Sequence, residues 1–158
     1  MLRPWTDADV PALVAECRDP EIVRWLPNIP QPYTDADARS FIAHASESAS
    51  SGDRAEFAIV DEHDVLLGSA GMRLREIPPS IGYWVAGSAR GRGIATAATR
   101  ALTAWAFETL GATRIALYAE PANLASQRVA GKCGFVRVPG AVKREADREL
   151  WVFELAGP

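Results

Sequence analysis

The residues best suited to chemistry are Arg90-Gly91-Arg92-Gly93, which follow the apolar run Ile81-Gly-Tyr-Trp-Val85 and open directly into a long stretch with helical apolar spacing. A helix start carries unpaired N–H groups and partial positive charge, and glycines beside it let an anion reach that backbone. Arg90 and Arg92 add fixed charge. The implied chemistry is phosphate binding at the end of a strand. No Gly-Lys-Ser/Thr follows, which excludes a nucleoside-triphosphate P-loop. A dinucleotide loop requires a third glycine where Thr96 stands, and an acidic strand end ~20 positions on, which is missing.

A second group lies downstream. Arg114-Ile-Ala-Leu-Tyr-Ala-Glu120 reads as a strand, Asn123-Leu-Ala-Ser126 as a capped helix start, and Gly134-Phe135 as that helix's end.

The motif Arg90-x-x-Gly93-x-Ala95 resembles the pyrophosphate loop of the GNAT superfamily of N-acetyltransferases. Asn123-x-x-Ser126 with Gly134-Phe135, the opening Leu2-Arg-Pro-Trp-Thr-Asp-Ala-Asp9 and Pro20-Glu-Ile-Val-Arg-Trp-Leu26 are similar to its RimJ/RimL-like branch. These blocks occur in the expected order and span nearly the whole chain. The resemblance implies an α/β (α+β) fold. Its central sheet is mixed, mostly antiparallel and twisted, with six to seven strands flanked by about four helices, and a bulge splays the fourth strand from the fifth. It also implies acetyl-CoA as cosubstrate with no metal, and transfer of the acetyl group to a primary amine, either a protein N-terminus or a small molecule.

Carried onto this sequence, the resemblance assigns the pyrophosphate to Arg90, Gly91, Arg92, Gly93, Ile94, Ala95 and Thr96. The pantetheine falls beside Trp84, Val85, Asn123 and Ser126, and Arg128 is in reach of the adenosine phosphate. The N–H near Val85 then polarises the thioester carbonyl. Ser126 is the proton donor to the leaving thiolate, or its positioner. The family pattern is not complete: Ala130 stands where many members have a tyrosine, and Tyr118 and Ser80 where some have glutamates. The base is therefore open between Glu120, Glu76 and a water relay. Trp25, Tyr33 and Tyr83 are the candidates for the acceptor groove. Two other readings keep the fold: transfer of another acyl group such as succinyl, and a non-catalytic module that holds coenzyme A or recognises a partner.

Composition fits this class. The 158 residues make one domain, 1–158, large enough for a core without disulfides or metal. A net charge of −3 argues against nucleic acid as the main partner. Cys17, Cys133, His44 and His63 lack metal-ligand spacing. No apolar run has membrane-spanning length and the start lacks a signal pattern, so a cytoplasmic protein is expected, with a homodimer as the default assembly for a small enzyme.

The positioning elements follow from spacing. Thr6 with Asp9, and Thr34 with Asp37, predict helices over about 7–17 and 35–50. Pro20 to Tyr33 reads as a helical turn followed by an irregular loop. Strands are expected over 56–60 and 65–74, joined by a polar turn at His63-Asp64, and over 81–85 after Pro78-Pro79. Apolar residues from Ile94 to Leu110 predict a helix closed by Gly111, and 114–120 a strand parallel to 81–85. Shorter strands over 135–138 and 150–155 complete the sheet.

Overall fold

A computed structural model describes the whole chain, Met1–Pro158. In chain order the elements are β1 (Leu2–Arg3), α1 (Val10–Glu16), α2 (Pro20–Trp25), α3 (Asp35–Ser51), β2 (Arg54–Val60), β3 (Leu66–Arg73) and β4 (Ser80–Val85). They continue with α4 (Ile94–Leu110), β5 (Arg114–Ala119), α5 (Leu124–Lys132), β6 (Val136–Glu145) and β7 (Arg148–Ala156). The seven strands form one sheet in the order β1-β2-β3-β4-β5-β7-β6. Every neighbouring pair is antiparallel except β4 and β5.

Strand alternation divides the molecule into two cores. Ile81, Leu117 and Phe153 face Leu102 and Ala106 of α4 and Ala130 of α5. On the opposite face, Ala58 and Val60 pack against Leu13 and Val14 of α1 and Ala38, Ile42 and Ala45 of α3. Along β4 this parity sends Tyr83 and Val85 towards the α4 core and Trp84 towards the α1 and α3 core.

The parallel pair carries the feature that matters most. β4 and β5 are in register only at Ser80↔Ala116 and Ile81↔Leu117, and the rest of each strand diverges. β4 nevertheless stays registered on β3 as far as Val85↔Gly68, and β5 stays on β7 as far as Ala119↔Trp151. The fourth and fifth strands are thus splayed, as expected, but the β3–β4 register runs without a shift. The irregularities in the sheet fall at Ile59/Val60 and between Arg137 and Val142.

Other differences have local causes. The segment 7–17 divides into a 3-10 turn, Asp7–Asp9, and α1, because Pro11 lies in the first turn of the α-helix. β6 and β7 are much longer than the alternation predicts. Pro139-Gly140 reads as a strand end, yet it sits inside the irregular stretch of β6, whose residues are half-buried or exposed and so leave no clear apolar period. No helix is long and apolar enough to cross a membrane.

The N-terminal edge is fixed by a buried ion pair. Asp9 is 5% exposed and accepts two bonds from the Arg3 guanidinium, at 2.7 and 2.8 Å, as well as the Thr6 N–H at 2.8 Å. The Arg3 bonds hold the Asp9 carboxyl below the usual aspartate range, against the upward push of burial. A carboxyl lowered in the folded state contributes stability above its unfolded pKa, and that contribution is lost as pH falls through the folded value. Replacing Asp9 by Asn is expected to cost about 2 kcal/mol in urea unfolding at neutral pH, since it removes charge-assisted bonds from the Arg3 guanidinium, which keeps Asp64 and the Pro4 carbonyl as partners. The gap should close in acid.

Candidate active site

The glycine loop lies where β4 ends. Gly91 and Gly93 hold φ of 73° and 78°, the left-handed region that side chains with a Cβ resist, and Gly93 is the N-cap of α4. A Cβ at either position would meet nothing within 4 Å, so the surface over the loop is open. No backbone N–H from Arg90 to Thr96 donates to a protein acceptor; the first bonded amide is that of Ala97, at 3.0 Å from the Gly93 carbonyl. The result is a run of unpaired donors converging with the positive end of a long helix, a site built for a multiply charged anion. Ile94, Ala95 and Thr96 are half-buried, while Gly91, Arg92 and Gly93 are exposed.

Arg90 is positioned by the N-cap residue of α2. Asp19 accepts the Glu21 N–H at 2.8 Å through one oxygen and the Arg90 guanidinium at 2.6 Å through the other. The Glu21 amide and then Arg90 hold its carboxyl below the usual range. Arg90 is thereby tied to the start of α2, and Arg92 carries charge at the loop's exposed surface.

The α5 start forms the other wall of the splay. Asn123 caps the helix by accepting the Ser126 N–H at 3.0 Å. The Ser126 hydroxyl lies 2.9 Å from the Tyr83 hydroxyl, which arrives from β4. Burial pushes the Tyr83 phenol up to about 12, so it stays protonated across the working range of pH. The Arg100 guanidinium, donating to the Lys132 carbonyl at 2.8 Å, ties α4 to α5. Arg128 is exposed on the outer surface of α5. The loop thus follows the diverging end of β4, and the α5 start meets the same strand through the Ser126–Tyr83 contact.

The carboxylates considered as bases are both engaged. Glu120, just past β5, is ion-paired with Arg148 of β7. Arg148 also donates to the carbonyls of Trp25, at 3.1 Å, and Arg24, at 3.4 Å. Glu76 accepts Lys143 of β6 at 2.9 Å. Burial pushes the Glu76 carboxyl up, but its hydrogen bonds outweigh this and leave it below its ordinary value. Lys143 also sits 4.1 Å from the centre of the Tyr118 ring. The β6–β7 hairpin thus places a cation on each carboxylate.

The aromatic candidates for the acceptor groove do not converge. Tyr83 points to the α4 and α5 face, because it shares strand parity with Ile81. Tyr33 is 5% exposed in the core between α1 and α3, and lines a separate cleft of ≈ 320 Å³ with Ile29, Phe41 and His44. Trp25 is half-buried, with its indole N–H on Glu21 at 2.9 Å and its carbonyl on Arg148. Sequence reasoning missed the Tyr83–Ser126 bond, the Asp19–Arg90 pair and Arg148. The first was implicit in the alternation of Ile81, Tyr83 and Val85; the other two join segments far apart in sequence and leave no local signal.

Residues 1–136 match the acetyltransferase (GNAT) domain family. Over 56 residues, 35% of this chain, the sequence is 45% identical to a Bacillus subtilis (strain 168) protein provisionally assigned as the ribosomal N-acetyltransferase YdaF. That alignment covers 31% of the relative's length. The fold is similar to that of Mycobacterium smegmatis RimJ in complex with CoA-disulfide, with a TM-score of 0.85 at 22% identity over 98% of this chain and 80% of that one. It is also similar to spermidine N-acetyltransferase from Vibrio cholerae in complex with CoA and spermine, with a TM-score of 0.80 at 15% identity over 99% and 94% of the two chains. With its glycine loop, its splayed central strands and a family match over most of its length, the chain belongs to the GNAT family of acetyltransferase domains.

Proposed function

We propose that this chain transfers the acetyl group of acetyl-CoA to a primary amine by direct attack within a ternary complex. The observation that carries this reading is the uninterrupted run of unpaired N–H groups from Arg90 to Thr96, ending at the splay between β4 and β5. A pyrophosphate fits that run, and the diverging strand edges leave backbone groups for the amides of an extended pantetheine arm. The CoA ligands in the RimJ and spermidine N-acetyltransferase structures support the same ligand class here. Acetyl-CoA and two free thiols, Cys17 and Cys133, suit the reducing cytoplasm.

The side chains around the splay support direct transfer. Burial raises the Cys133 thiol, and neither cysteine has a paired histidine to activate it. Ser126 is bonded to a neutral phenol, which makes it a donor relay and not a nucleophile. In this reading the Val85 N–H lies against the thioester carbonyl and stabilises charge developing on its oxygen. Ser126 donates to the leaving sulfur, and Tyr83 donates in turn to Ser126. Tyr83 thus supplies, from β4, a phenol that the helix itself lacks at Ala130. The acceptor is a protein N-terminus or a small-molecule amine, a reading supported by the likeness to a ribosomal N-acetyltransferase and to a spermidine N-acetyltransferase.

Three variants check this account. Gly93→Val should weaken acetyl-CoA binding about tenfold or more, because the side chain both strains a left-handed residue and covers the donor run; an affinity equal to the parent in calorimetry would remove the loop from the binding site. Ser126→Ala should lower kcat by about 10²-fold with little change in the KM for acetyl-CoA. Tyr83→Phe keeps the ring in the core and should reproduce a smaller part of the same loss. If neither hydroxyl variant changes kcat, the relay is not on the reaction path.

A further inference from the structure

On the sheet face opposite α4 and α5, β2, β3 and β4 set three residues in a row. Glu56 is paired with Gly71, and Gly71 with Gly82, so a carboxylate and two positions without side chains lie side by side across the strands. The Glu56 side chain folds over the Gly71 backbone: a Cβ on Gly71 would collide with its carboxylate. Gly71 is buried beneath it. Gly82 is exposed, and a Cβ there would meet nothing within 4 Å. Gly82 is also the first residue of β4 beyond the last β4–β5 register pair, Ile81↔Leu117, so it stands at the mouth of the splay. Adjacent strands are about 4.8 Å apart. The carboxylate over Gly71 is therefore about one strand from a bare, open piece of β4 at the mouth where β5 leaves it.

Unlike Glu120 and Glu76, Glu56 is free. It has no hydrogen bond and no ion pair, and only the more distant charges of Arg54 on its own strand and Arg73 on β3 bear on it. Ser80, Gly82 and Trp84, the β4 residues on this face, carry no charge, and α3, packed on β2, contributes none. Burial raises the Glu56 carboxyl above the ordinary glutamate value, and the two arginines draw it only part of the way back. The side chain is half-buried and has no bonded partner, so the carboxylate is partly desolvated yet still open to a cation from solvent.

Resting on the acetyl-transfer reading, we propose that Glu56 binds the ammonium of the acceptor amine and takes its proton, the amine lying over Gly71 and Gly82 beside the opening between β4 and β5. One proton passes from the ammonium to the Glu56 carboxylate, leaving a neutral amine. Its lone pair forms the N–C bond to the thioester carbonyl. The C–S bond then breaks as Ser126 gives its proton to the thiolate; the nitrogen loses its second proton to water, and solvent returns one to the Ser126 hydroxyl. The products are the acetamide and the free thiol, and Glu56 releases its proton to solvent. Cofactor and acceptor reach the splay from opposite faces of the sheet, as a direct transfer requires.

The test uses Glu56→Gln and Glu56→Asp in the full chain, with a tetrapeptide beginning with alanine and spermidine as acceptors. Glu56→Gln should keep acetyl-CoA affinity, lower kcat/KM for the amine by about 10²-fold, and lose the rise of activity with pH that the carboxylate provides. Glu56→Asp should retain that rise at a lower rate. Equal activity and pH dependence in Glu56→Gln would overturn the proposal, as would an acetyl-CoA affinity that falls as far as turnover. Thermal unfolding gives a readout independent of any acceptor. A carboxyl raised in the folded state costs stability as pH climbs from the unfolded value through the folded one, so above that window Glu56→Gln should melt higher than the parent. A lower melting temperature there would mean that the carboxylate is held by contacts and is not available. If the parent binds no acetyl-CoA, the acetyl-transfer reading fails and takes this proposal with it.

Discussion

The parting of β4 from β5 is the constraint around which the molecule is arranged. Each strand keeps its outer neighbour to the end, β4 on β3 and β5 on β7, so only the shared edge opens. Backbone donors and acceptors on such an edge are costly to leave without partners. An extended ligand with amides of its own satisfies them while adding no side-chain specificity. The same divergence sets the ends of β4 and β5 beside two helix starts, those of α4 and α5, which carry the anion loop and the Asn123–Ser126 cap. In the proposed reading, one local departure from regular pairing creates the slot, the phosphate site at its far end and the hydroxyl group at its wall.

In the proposed reaction, strand parity separates the two substrates. Tyr83 and Ser126 meet on the face covered by α4 and α5, where an anionic cofactor and its sulfur belong. The other face carries carboxylates in two conditions. Glu76 and Glu120 are each matched by a cation from the β6–β7 hairpin, which fixes the hairpin against the sheet and against α2. Glu56 has no such match. Paired carboxylates at partly exposed positions contribute modestly and mainly orient segments, whereas a half-buried one without a partner keeps its full capacity to bind a cation or a proton. The hairpin's role here is architectural, in keeping with its long, half-exposed strands.

Much of this architecture is legible in the sequence because it is local. The capping pairs, the alternation of Ile81 to Val85, the glycine spacing and the apolar period of α4 are each set by residues within a turn or two of one another. Asn123 and Ser126 are likewise legible as a helix start. Beyond that reach, the sequence loses its hold. Arg148 meets Glu120, Arg24 and Trp25 only because the hairpin folds back, and the role expected for Glu120 could not be weighed without that partner. Tyr33 reads as a groove aromatic from its irregular loop, but the α1–α3 core buries it. Glu56 looks like an ordinary polar residue in an alternating strand. Its isolation depends on two glycines in two other strands, which no single stretch of sequence displays.

In the proposed reading, the donor run from Arg90 to Thr96 and the β4–β5 splay together form a coenzyme A site. The decisive experiment is calorimetric titration of the purified chain with acetyl-CoA, alongside desulfo-CoA and ATP. Micromolar binding of both CoA compounds and none of ATP is expected, since recognition needs the pantetheine arm in the splay as well as phosphates on the loop. Absence of CoA binding, or equal binding of ATP, would contradict it.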